Sequence, residues 1–195
     1  MEFNRIYFLS LILPLIFFIS PNITVEGSED SIFLFDFKKL GKVGDWRIVN
    51  DGVMGGLSRS QITLSEENTA LFQGTLSLEN NGGFSSVRTS PRDYNLDGYH
   101  GIILHLKGDG KKYQFRLRTD DRFDGISYRF HFKTDINDWT TVRVPFNECI
   151  PVFRGRILTD AEPIISKKIK QIGFLIADKQ AGPFKLEIDW IKAYK

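Results

Sequence analysis

The chain has 195 residues, a formal net charge of +2 and an aromatic content of 13%. That length holds one domain plus a targeting segment, and so mild a charge excludes the concentrated basic surface of a nucleic-acid binder. A single cysteine, Cys149, excludes an intramolecular disulfide framework and a cysteine-rich zinc site.

The N-terminus reads as an address. Residues 6–19 form an uncharged apolar run after Arg5, ending at Ser20 and Pro21. A membrane-spanning helix needs about twenty apolar residues and a signal-peptide core about seven to fifteen. Residues 1–27 are therefore expected to be a signal peptide or an N-terminal membrane anchor, with residues 31–195 as a domain exported to a periplasmic, secreted or lumenal location.

Residues 31–37 place Phe33, Phe35 and Phe37 on one face of a first strand by period-two alternation. A polar loop follows, WRIVNDGVMGGLSRS at residues 46–60. Glycine loses the most conformational freedom on folding, so Gly52, Gly55 and Gly56 point to positive-φ backbone or to close approach of another segment or a ligand. Residues 62–64 and 70–78 are the next strands, and residues 79–83 form a second glycine-rich turn. From Gly101 the alternation is regular: Ile102, Leu104 and Leu106 share a face, then Tyr113, Phe115 and Leu117, then Tyr128, Phe130 and Phe132, then Val142, Val144 and Phe146. Residues 173–177 read as a strand buried on both faces. In the last strand Phe184, Leu186, Ile188 and Trp190 alternate with charged residues. Residues 160–168 are the one helical candidate. About ten short strands with glycine turns at most joints predict an all-β, antiparallel sandwich of jelly-roll type.

The same alternation turns His105, Lys107, Gln114, Arg116, Arg118, Arg129, His131, Lys133 and Arg143 outward, and none of these is an acid. Directly opposed like charges in a hairpin cost a few tenths to about 1 kcal/mol each. Either acids such as Glu187, Asp189, Asp120, Asp121 or Asp124 lie alongside or the long side chains splay into water, or the face binds an anionic or polyhydroxylated ligand or a partner's acidic surface. Catalysis has less support. The three histidines lack metal spacing, no nucleophile elbow is present, and neither glycine string has nucleotide-fingerprint spacing. The Asp120, Asp121, Asp124, Gly125 segment reads as an acidic hairpin turn in preference to a calcium loop. Cys149 reads as a buried small hydrophobe.

The series W-x-I-V-N-D-G-V-M-G-G-L-S at residues 46–58, N-N-G-G-F-S-S-V-R at 80–88, the Gly-Asp-Gly turn at 108–110, V-P-F at 144–146, F-R-G-R at 153–156 and G-P-F at 182–184 resemble the complex I intermediate-associated protein 30 family. The resemblance implies a sandwich of galactose-binding-like type and a chaperone-like assembly role without catalysis and without a cofactor. Joined to the export expectation, it suggests an exported assembly protein that binds a protein partner, including one held at a membrane, and no nucleic acid. The alternative is a carbohydrate-binding module taking a glycan on exposed aromatics such as Phe123, Trp139 and Phe153. The residues expected to meet a ligand or partner are Asp51, Met54, Gly55, Gly56, Asn81, Arg88, Arg116, Arg118, Arg129 and His131. Gly55 and Gly56 are expected to allow tight packing beside the second loop, residues 80–84, in preference to ligand contact.

Overall fold

The computed structural model describes residues 30–195; the signal peptide or membrane anchor expected over residues 1–27 lies outside them. Two sheets pack face to face. One holds β1 (Ser31–Asp36), β3 (Arg59–Leu64), β4 (Ala70–Leu76), β6 (Gly101–Asp109), β9 (Ile136–Pro145) and β13 (Gly182–Tyr194). The other runs β11 (Arg156–Ile157), β10 (Ile150–Phe153), β8 (Ser127–Lys133), β7 (Lys112–Arg118), β12 (Gln171–Ile176), β5 (Ser85–Thr89) and β2 (Trp46–Asn50). Neighbouring strands pair antiparallel throughout. The core between the sheets is the apolar set that period-two alternation selects, with Phe72, Leu76, Leu104, Leu106, Tyr113, Phe115, Leu117, Ile172 and Phe174 all buried.

The structure departs from simple alternation at two bulges. The register of β1 against β13 shifts between Phe33 and Phe35, so Phe35 enters the core while Phe33 stays 54% exposed. Phe37 is buried from a short helix, α1 (Phe37–Leu40), capped by the Asp36 carboxylate at the Lys39 N–H. In β13 the shift falls between Ile188 and Trp190, which turns Trp190 outward and puts Ile191 and Ala193 inside. A bulge adds a residue to one strand, so the inward phase changes beyond it. The helix expected over residues 160–168 is reduced to a single 3-10 turn at Ser166–Lys168, since Pro163 cannot donate to a helical ladder.

The outward residues that looked like one basic surface divide between the sheets. His105 and Lys107 lie on β6, where Asp189 meets His105 at 3.0 Å and Glu187 meets Lys107 at 3.2 Å. His105 is also stacked between Trp139 and Trp190. Gln114, Arg116, Arg118, Arg129, His131 and Lys133 lie on β7 and β8 of the other sheet, out of reach of those two acids.

Candidate functional site

The two glycine-rich loops lie side by side, joined by Asp51. This residue begins a 3-10 turn, Asp51–Met54, at the end of β2, and its carboxylate is fully buried. It accepts the Ser58 N–H at 3.0 Å and the Ser58 hydroxyl at 2.5 Å. From the second loop it accepts the Gly83 N–H at 2.7 Å and the Phe84 N–H at 3.3 Å. The backbone adds Asp51 N–H to Phe84 carbonyl at 3.3 Å, and Asn80 reaches the Gly55 carbonyl at 3.3 Å. Asn50 reinforces the joint by accepting the hydroxyls of Ser60 and Ser85. Burial alone would raise the Asp51 pKa; the donors from Ser58, Gly83 and Phe84 outweigh it and hold the carboxyl below its ordinary value.

The glycines fit this packing role. A Cβ on Gly56 would lie 2.4 Å from the Asp51 Cγ, and one on Gly82 would lie 2.6 Å from its Oδ2. Gly55 instead has φ 86 and closes the turn from the left-handed region. Asp51 itself is buried and holds the two loops together through these bonds. What the clamp presents is apolar: Val53 is 67% exposed, Met54 64%, Leu57 49% and Leu78 45%. Asn81 is exposed beside them at positive φ. Val53, Leu57 and Leu78 escape sequence reasoning because apolar residues are ordinarily assigned to a core.

The basic residues form a second surface on the outer face of the seven-stranded sheet. Strand register aligns Arg47 with Arg88, Arg88 with Gly173, Gly173 with Arg116, and Arg116 with Arg129. Arg118 stands two residues along β7, and His131 two residues along β8. Arg116 is held by Gln114 at 2.6 Å and 3.1 Å and by the Ser127 hydroxyl at 2.9 Å. Arg118 donates to the Gly125 carbonyl at 2.7 Å. Arg88 lies over the Phe123 ring, 4.3 Å from its centroid. The Arg129 Nε is buried without a hydrogen-bond partner. Burial, then the neighbouring Arg118 and, more weakly, Arg47 push Arg88 down to about 10, opposed in part by Asp124; burial, then Arg118 and Arg129 do the same to Arg116. His131 is lowered by burial and by Arg129, against a weaker pull from Asp178. The acidic turn is spent locally: Asp120 pairs with Arg122 and Asp124 with Arg154.

The three aromatics expected to stack on a glycan are each covered by a cation. Arg88 covers Phe123, Lys107 covers Trp139, and Arg154 covers Phe153. Cys149 is buried, its thiol pushed up to about 12 by burial and the adjacent Glu148.

Comparison with known proteins agrees with this architecture. The sequence profile of the complex I intermediate-associated protein 30 family matches residues 35–188. A mouse protein named complex I intermediate-associated protein 30, mitochondrial, is 28% identical over 85% of this chain and 57% of its own length. Its namesake in Drosophila melanogaster is 25% identical over 89% of this chain and 66% of its own length. An uncharacterized Schizosaccharomyces pombe protein is 32% identical over 76% of this chain and 77% of its own. The chain thus spans 57 to 66% of the mouse and fly relatives. Among solved structures, the family 11 carbohydrate-binding module of Clostridium thermocellum superposes with TM-score 0.63 at 19% identity, over 84% of this chain and 95% of the module. An agarase superposes with TM-score 0.58 at 12% identity, over 85% of this chain and 24% of the agarase. At such identities the likeness is one of fold, a galactose-binding-like β-sandwich. The relatives' names correct the expected export: those from mouse, fly and Neurospora crassa are called mitochondrial, which points to mitochondria and away from a periplasmic, secreted or lumenal location.

Proposed function

The chain belongs to the complex I intermediate-associated protein 30 family, and from that membership we propose that it is a non-enzymatic assembly factor of mitochondria. Its partner is a protein intermediate of complex I, and its docking surface is the clamped loop pair. The observation that carries this reading is the exposure of Val53, Met54, Leu57 and Leu78 on loops that a buried carboxylate holds in place. Contiguous exposed apolar side chains on a folded domain mark interaction sites. Fixing the loops before binding also removes the entropy that a mobile loop loses on docking. Gly55, Gly56 and Asn81 serve by shaping this surface, and Met54 by contact.

The relatives' names support the protein partner, and the apolar loop tips supply a surface suited to one. The glycan alternative rests on fold likeness alone, and the cations over Phe123, Trp139 and Phe153 leave less ring face for a sugar. The test is native-gel migration of the full chain in mitochondria. Comigration with complex I intermediates is expected for the unaltered chain and is expected to be lost in a Met54→Ser, Leu57→Ser double variant of unchanged melting temperature. Undiminished comigration in that variant would remove the loop pair as the docking surface.

A further inference from the structure

The row of arginines on the seven-stranded sheet is interrupted at its centre by Gly173, which has no side chain to fill the space between Arg88 and Arg116. The result is a pit of about 50 Å³ bordered by Ser86, Arg88, Arg116, Arg118, Gln171 and Leu175. A water molecule's share of the liquid is about 30 Å³, so the pit accommodates one polyatomic group. Gly173 cannot readily become larger, because its Cβ would lie 2.6 Å from the Val87 carbonyl oxygen.

The donors around the pit are placed but not used up. Arg116 spends three of its N–H groups on Gln114 and Ser127, and Arg118 one on Gly125. A guanidinium carries five, so both are anchored with donors to spare. Arg88 lies over the Phe123 ring. Among the described residues none of the three makes an ion pair with a carboxylate. Asp120, Asp124 and Asp178 act on them only at longer range. Beside the pit opens a cleft of about 520 Å³, lined among others by Arg47, Arg88, Ser90, Phe123 and Gln171, with Asp121 the one acid in its wall.

We propose that this pit is an oxyanion site that takes the phosphate group of a phosphorylated small molecule or of a lipid headgroup, with Arg88, Arg116 and Arg118 as its donors and the cleft receiving the rest of the ligand. A phosphate monoester carries about −1.5 to −2 charges at neutral pH and three acceptor oxygens. That matches three guanidinium groups better than a carboxylate does, which offers one charge and two oxygens. Arg129 and Arg47, at the ends of the row, extend the field that draws such an anion in. The donors of the pit are distinct from the apolar docking residues Met54, Leu57 and Leu78; Val53 alone of that surface also lines the cleft.

The test uses the full chain. Titration with sodium phosphate, against sodium chloride at equal ionic strength, is expected to raise the melting temperature in a saturable way. Arg88→Gln or Arg118→Gln should each weaken the midpoint by roughly tenfold, the loss of one charge-assisted hydrogen bond, while Lys185→Gln on the other sheet leaves it unchanged. A second arm follows sedimentation with phosphatidylcholine vesicles containing phosphatidic acid. Vesicle binding that Arg88→Gln abolishes assigns the headgroup source, and a saturable phosphate response without vesicle binding assigns a soluble one. No saturable response in either arm overturns the site, as does a response that both arginine variants retain. Binding of a polyglutamate peptide without phosphate binding overturns it in favour of an acidic partner segment.

Discussion

Asp51 shows how one side chain sets the shape of a surface it does not reach. Its folded-state pKa lies below the ordinary 3.8 because four donated hydrogen bonds outweigh its burial. The folded protein therefore binds that proton less tightly than the unfolded chain. The associated stability is fully present above the unfolded value and is lost as pH falls through the folded one. Asp51→Asn should cost about 1.5–3 kcal/mol at neutral pH, the range for hydrogen bonds to a charged group, and the gap to the unaltered chain should narrow in urea titrations near about pH 3. An equal gap at both pH values would mean that the charge of Asp51 contributes nothing. The neighbouring glycines separate packing from flexibility. Gly56→Ala forces a Cβ to within 2.4 Å of the Asp51 Cγ and should destabilise by about 1–3 kcal/mol. Gly52→Ala meets nothing within 4 Å and should stay within about 0.5 kcal/mol, both read from denaturation midpoints.

At the scale of the element, the strand is where sequence reasoning succeeds and where it stops. Tyr113, Phe115 and Leu117 are all fully buried, because side chains of one strand alternate between faces whatever strand lies alongside. Phe33 and Trp190 break the pattern for a non-local reason: each adjoins a register shift that exists only relative to a partner strand. The loop clamp is hidden in the same way. Asp51 and Gly83 are 32 positions apart, and nothing in either loop alone names the other as its partner. The basic face could be read residue by residue on β7 and β8, but its alignment with Arg88 and Arg47 through Gly173 depends on strand order across the sheet. That alignment makes Gly173→Ala informative. Its Cβ would press on the Val87 carbonyl at 2.6 Å, so β5 should pull away from β12, with a loss of about 1–3 kcal/mol and faster amide exchange at Val87 and Arg88. Unchanged exchange there would show that the two strands have room to spare.

For the whole molecule, the sandwich keeps its polar resources apart. On the six-stranded sheet Glu187 and Asp189 meet lysines and a histidine. Among the described residues Arg88, Arg116 and Arg118 of the opposite sheet make no ion pair with a carboxylate, and the clamped loops lie at its β2 and β5 edge. The two surfaces proposed to bind, the apolar loop tips and the arginine row, both belong to the seven-stranded sheet and its connecting loops. Under the proposed assembly role, the loop side is the one that meets a complex I intermediate. The most direct measurement of this account is two-dimensional native electrophoresis of mitochondria carrying either the unaltered chain or the Met54→Ser, Leu57→Ser variant. The account predicts that the unaltered chain migrates with complex I intermediates and that the folded variant migrates alone. A variant that still migrates with the intermediates would contradict it.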